Sequence, residues 1–140
     1  MTLAVLLTEC GGDEPELTAF SATTMARVTT DREYLKDDEG RYTFLHGINV
    51  SGSTKLPTTT DPISYVGKPF PLEEADEHFS RLADLGFNAI RLLIIWEGIE
   101  PYGKGEYDTA YLDYIEEIVR KAGDYGIYVL VDMHQDSFSR

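Results

Sequence analysis

The chain is short of cysteine, of basic residues and of long apolar runs, and each shortage excludes something. One cysteine in 140 residues, Cys10, leaves no internal disulfide framework. A membrane-spanning helix needs about 20 consecutive apolar residues, and no run here approaches that, so no integral span is expected. Twelve lysines and arginines stand against 25 acids, a net charge of −13. Such a chain repels phosphate-rich surfaces, so nucleic acid is not an expected partner. What is present, 42% hydrophobic and 11% aromatic residues, is enough to build a modest globular core.

The first residues, MTLAVLLTECGGDEPEL, carry a short apolar stretch from Leu3 to Leu7 running into Cys10-Gly11-Gly12 and acidic sequence. This is similar to the end of a bacterial lipoprotein signal, in which the cysteine is lipidated. It departs from that pattern at Glu9, where a small residue is usual, and in having no Lys or Arg ahead of the apolar stretch. Residues 1–27 are therefore read as an export signal or polar tether. A secreted or cell-envelope lipoprotein location follows, with a frayed terminus of a cytoplasmic protein as the alternative.

Residues 28–140 alternate strand and helix signals. REYLKDDEGRYTFL reads as a β-hairpin turning at Asp37–Gly40. A strand is expected from Tyr42 to Val50, followed by a connection of about 20 residues, far longer than the usual 2–6 between strand and helix. A first helix starts near Pro71, with Leu72, Ala75, Phe79, Leu82 and Leu85 on one face, and ends before Gly86. FNAIRLLIIW is a strand almost without polar alternation. A second helix is capped by Asp108, presents Leu112, Ile115, Val119 and Ala122, and closes at Gly126. A third strand spans Tyr128–Met133. The order β-α-β-α-β with apolar strands predicts a parallel sheet joined by right-handed crossovers. Periodicity alone leaves a doubly wound sheet or a (β/α)₈ barrel.

In either α/β architecture ligands bind at the carboxyl ends of the strands, and the unusual polar residues fall there. The first strand ends at Asn49 and its loop brings Lys55. The second carries Arg91 and runs into Trp96-Glu97. The third ends in Asp132, His134 and Asp136 at alternate positions, so all three side chains share one face. A guanidinium buried in AIRLLII demands an anion, because an unpaired buried charge is very unfavourable. His134 between two same-face acids reads better as part of a site than as core. Trp96 reads equally as a plug of the barrel mouth or as a stacking surface for a sugar. No Gly-rich phosphate loop follows the first strand, which weakens a nucleotide reading.

LHGINVSG, GFNAIRLLIIWEGIEP and YVLVDMHQDSFSR, in that order, resemble glycoside hydrolase family 5, a (β/α)₈ TIM-barrel family of retaining, cellulase-like glycosidases. NVSGSTKLP, GKPFPLEEADEHFSRL and DMHQDSFSR resemble its endoglycoceramidase, glucosylceramidase and steryl-glucosidase branch. The resemblance implies an α/β fold made of the first three strands and two helices of the barrel, preceded by the hairpin. It implies hydrolysis of O-glycosyl bonds without a cofactor, on a carbohydrate or glycolipid substrate. It also implies roles. Arg91 hydrogen-bonds the nucleophilic glutamate, and His134 lines the subsite of the sugar being cleaved. Lys55 and Asp136 contact that sugar's hydroxyls, Asp132 supports them, and Asn49 holds the mouth of the first strand.

A retaining glycosidase needs two carboxyls about 5–5.5 Å apart, and the family carries them on its fourth and seventh strands. Residues 28–140 are expected to be the N-terminal part of such a barrel, truncated after the third strand. Alone the chain is then inactive, with no catalytic residue of its own and an open sheet edge prone to self-association. Two alternatives stand beside this. One is a metal-dependent barrel hydrolase using Asp132, His134 and Asp136. The other is a non-catalytic carbohydrate-binding fragment.

Overall fold

The computed structural model describes residues 25–55, 58–60, 63–64 and 66–134. Cys10 and Asp136 lie outside the described residues.

Thr29–Asp31 (β1), Tyr34–Lys36 (β2) and Tyr42–Thr43 (β3) form an antiparallel sheet in the order β1-β2-β3. The expected turn joins β2 to β3. Gly40 adopts φ +76°, a left-handed conformation open to glycine, and its N–H donates to the Asp37 carbonyl at 3.0 Å. The Asp37 carboxylate accepts the N–H groups of Glu39 and Arg41 at 3.0 and 2.9 Å. The Arg41 side chain donates to it as well, and that bond holds the Asp37 carboxyl below its ordinary pKa.

The single strand expected from Tyr42 to Val50 is broken at residues 44–46. Gly47–Val50 (β4) belongs to a different sheet. Asn88 causes the break. Its side-chain Oδ1 accepts the His46 N–H at 2.7 Å, and its own N–H donates to the His46 carbonyl at 3.0 Å. These bonds come from a residue 42 positions away. Phe44 and Leu45 also mark the boundary between two compact units, with the hairpin sheet in the first and the parallel sheet in the second.

After β4 the long connection is not featureless. It contains a 3-10 turn at Gly52–Lys55 and a two-stranded ribbon of Thr59–Thr60 (β5) and Ile63–Ser64 (β6). A 3-10 turn at Leu72–Glu74 leads into Ala75–Asp84 (α1). Ala89–Ile94 (β7), the short Trp96–Ile99 (α2), Thr109–Asp124 (α3) and Tyr128–Met133 (β8) follow. Strands β4, β7 and β8 form one parallel sheet in sequential order, as expected.

Alternation divides this sheet into two faces. Ile90, Leu92 and Ile94 meet α1 and α3, where Ala75, Phe79, Tyr114, Ile118 and Ala122 are buried with them, and Val129 and Val131 pack alongside. Fully burying one such large apolar side chain stabilises the fold by roughly 1.5–3 kcal/mol. The helix ends follow their signals. The Asp108 carboxylate accepts the Tyr111 N–H at 3.0 Å, and Gly86 and Gly126 take φ +81° and +71° after α1 and α3.

Two expected core positions are corrected. Leu85 is exposed, because α1 has already ended at Asp84 and Leu85 is its cap. In α3 the buried stripe is Tyr111, Tyr114, Ile115, Ile118 and Ala122, while Leu112 is exposed. The stripe turns by about one residue because two tyrosine rings take the buried positions instead of Leu112, Tyr111 over Gly98 of α2 and Tyr114 beside Phe70. Burial raises the Tyr111 and Tyr114 phenols to about 12. Among the described residues no helix is long and apolar enough to cross a membrane.

Candidate functional site

The other face of the parallel sheet presents Arg91 and Leu93 on β7 beside Leu130 and Asp132 on β8, paired Arg91 with Leu130 and Leu93 with Asp132. The ladder continues one residue past β8: the His134 N–H donates to the Ile94 carbonyl at 2.8 Å. That bond keeps His134 in strand alternation, so its ring lies on the same face as Asp132.

Asp132 is the hub. Its Oδ2 accepts from Arg91 Nη2 at 2.8 Å and stands 3.0 Å from His134 Nδ1. On the far side of the ring, Lys55 Nζ lies 2.5 Å from His134 Nε2. These contacts select a tautomer. An ammonium has no lone pair, so Nε2 must accept from Lys55. Nδ1 then carries the proton and donates to Asp132. The 3.5 Å approach of Arg91 Nη2 to Nδ1 sets two donors side by side and is a contact rather than a bond. Two cations, Arg91 and Lys55, flank the Asp132–His134 pair, a local positive excess in a chain of net charge −13.

Arg91 was expected to be buried. Its side chain is instead 39% exposed, and that of Asp132 23%. Arg91 sits on the face opposite the helices, where β4, β7 and β8 alone do not enclose it. The anion demanded by its charge is present, as Asp132. Asn49 is the register partner of Arg91 on β4, so it belongs to the same rim. Trp96 opens α2 just past the carboxyl end of β7 and is 54% exposed. Asp136 lies outside the described residues.

Lys55 reaches across 79 residues to His134 because its turn is fixed. Gly52 adopts φ +47°, and a Cβ there would stand 2.1 Å from the Pro69 carbonyl oxygen. The two ends of the long connection are thus in backbone contact, an approach only glycine permits. Thr54 is buried, and its hydroxyl donates to the Ser51 carbonyl. Sequence reasoning did not single out Gly52 or Thr54. The SGST run was their only local signal, since the partner Pro69 is distant.

Asp132 Oδ2 and both ring nitrogens of His134 are engaged with one another and with Arg91 and Lys55. No group of three or more metal-ligating side chains occurs among the described residues. Glu100, in the loop after β7, accepts the Gly105 N–H at 3.1 Å and so serves the loop itself.

The chain is similar to known proteins in sequence and in fold. Residues 37–139 match the family model for cellulase, glycosyl hydrolase family 5. A glucosylceramidase of Rhizopus delemar is 44% identical, over 76% of this chain and 18% of its own length. An endoglycoceramidase of Cyanea nozakii is 41% identical, over 84% of this chain and 22% of its own length. The crystal structure of Cryptococcus neoformans sterylglucosidase 1 superposes with a TM-score of 0.69 at 33% identity, covering 86% of this chain and 18% of that one. The chain spans about a fifth of the length of the curated relatives it matches. With a parallel sheet backed by helices that is part of a (β/α) barrel, and a family match over most of its length, the chain belongs to glycosyl hydrolase family 5.

Proposed function

We propose that this chain forms the first three strands of a retaining β-glycosidase barrel that cleaves glycolipids, and that it supplies one side of the subsite for the sugar being cleaved. The observation that carries the reading is the Lys55–His134–Asp132–Arg91 network on the carboxyl rim of the parallel sheet. Lys55 and His134 meet the sugar hydroxyls. Arg91, held by Asp132, keeps a guanidinium edge for the nucleophilic carboxylate, whose charge it stabilises. Asp136 and Asn49 extend the polar rim, and Trp96 offers an exposed ring beside it. The names of the relatives, glucosylceramidase, endoglycoceramidase and sterylglucosidase, support a β-linked sugar on a lipid aglycone.

On this reading Glu97, Glu100 and Glu106 are not catalytic. The nucleophile and acid/base belong to the fourth and seventh strands of the family's barrel. Residues 1–140 alone then release no sugar, and their open concave face favours self-association. The test is hydrolysis of an aryl β-glucoside and of a β-glucosyl lipid by a protein carrying this chain through a complete barrel. Arg91→Met and His134→Ala are expected to lower kcat/KM by about a hundredfold or more. Wild-type turnover by either variant, or turnover by residues 1–140 alone, overturns the proposal.

A further inference from the structure

We propose that the segment from Trp96 to Asp108, the short helix α2 and the loop after it, is a docking surface for zwitterionic lipid bilayers, which brings the sugar site to the headgroup layer. The inference rests on the glycolipid reading above and adds the partner. Three aromatic side chains of this segment face solvent, Trp96 on α2 at 54% and Tyr102 and Tyr107 on the loop at 77% and 58% exposure. The rings are too exposed to be holding the core together. All three carry a polar handle on an apolar ring, the chemistry that settles at a membrane–water interface.

The loop is built in advance. The Asp108 N–H closes its base onto the Ile99 carbonyl at 2.8 Å, and the Glu106 N–H donates to the Gly103 carbonyl at 3.0 Å. The Glu100 carboxylate takes the Gly105 N–H at 3.1 Å. A backbone tied at three points loses little freedom on binding, so the exposed rings retain most of their transfer energy. The loop leaves the carboxyl end of β7, the strand that holds Arg91. A lipid-anchored sugar reaches that rim only if the rim faces the bilayer.

Charge selects the kind of bilayer. The loop holds Glu97, Glu100, Glu106 and Asp108 against Lys104 alone. Anionic lipid repels this surface, and neutral or zwitterionic lipid does not.

Trp96 is the only tryptophan in the chain and reports directly on its own environment. The experiment uses the full chain with phosphatidylcholine vesicles free of glycolipid. Expected are co-sedimentation, a blue shift of Trp96 emission and its quenching by brominated acyl chains. Tyr102→Ser combined with Tyr107→Ser, both at solvent-facing positions, should weaken partitioning roughly tenfold with an unchanged circular dichroism spectrum. Phosphatidylserine in the vesicles should weaken it further. No binding, or tighter binding to anionic vesicles, overturns the proposal. So does equal binding by the double variant, which would assign adsorption to another surface. A response of Trp96 to cellobiose but not to vesicles would make the loop a sugar platform instead. The vesicles carry no sugar, so failure here leaves the glycosidase reading to its own assay.

Discussion

Strands β7 and β8 have two faces, and the two obey different rules. The face toward the helices holds Ile90, Leu92, Ile94, Val129 and Val131. Its partners are apolar or aromatic, and its packing is non-directional. The opposite face, made of the residues in between, holds Arg91, Asp132 and His134, joined by bonds of 2.8 and 3.0 Å. Area buried sustains the first face, and distance and angle sustain the second. The same backbone thus separates stability from chemistry at a spacing of one residue. Damage to one face should leave the other recognisable.

The largest expected effect lies on the helix side. Phe79 is fully buried between α1 and the sheet. Phe79→Ala should lower stability by about 3–5 kcal/mol, a large part of what a domain this size possesses. Leu130→Ala, on the other face of β8 where the side chain is exposed, should lower it by less than about 1 kcal/mol. Urea denaturation of both variants measures the contrast. Equal losses would erase the distinction between the faces.

Alkaline pH should attack the same side. The Tyr111 and Tyr114 phenols are raised from 10 to about 12, chiefly by burial. The Tyr114 hydroxyl donates to the Phe70 carbonyl at 2.7 Å. Between pH 10 and 12 the unfolded chain has lost these protons while the folded chain keeps them. Stability is therefore complete below pH 10 and falls as pH rises toward 12. Urea midpoints at pH 8, 10 and 11.5 should decline over that window only, and less steeply in Tyr114→Phe. A flat profile would mean that the phenols are not buried as described.

Much of this contrast was legible in the sequence. Strands without alternation, helical spacing at Ala75 and Phe79, and glycines at 86 and 126 announced the parallel layer and its helices. Polar residues at alternate positions after an apolar run announced the rim, and Lys55, Arg91 and His134, each read at or just past a strand, meet there. What escaped notice was non-local. The break before β4 depends on Asn88, 42 residues away. Lys55 is aimed by contact between Gly52 and Pro69. The α3 stripe is set by where the Tyr111 and Tyr114 rings pack, over Gly98 and beside Phe70, not by hydropathy. Local patterns encode element type and facing; contacts made at long range encode where elements stop and where side chains are aimed.

Gly52→Ala tests aiming directly. A Cβ 2.1 Å from a carbonyl oxygen, at φ +47°, forces the turn to move. The loss should be about 1–2 kcal/mol, with Lys55 displaced from His134. Arg91→Met comes next. It leaves Asp132 with the His134 proton as its described partner, at about 1 kcal/mol because both side chains are partly exposed and water screens the pair. In a complete barrel both variants should impair hydrolysis far more than stability. A variant that unfolds before it loses activity would show that the rim is a structural network.

The smallest expected change in stability, and the sharpest separation of the faces, belongs to Lys55→Ala. Lys55 is exposed and ends a short turn, so its ammonium is well hydrated and its removal should alter stability by less than about 0.5 kcal/mol. Its effect should appear on one imidazole. In the wild type the ammonium donates to Nε2 across 2.5 Å, which holds the proton on Nδ1 and aims it at Asp132. Without the lysine that preference weakens. Asp132 still favours Nδ1–H, while Nε2 loses the donor that faced it and can carry the proton instead. Nitrogen chemical shifts of the neutral His134 ring should therefore show a larger share of the Nε2–H tautomer than in the wild type. The urea midpoint should stay in place. A shift in the midpoint of unfolding with no change in the imidazole would reverse the assignment, making Lys55 part of the scaffold and His134 indifferent to it.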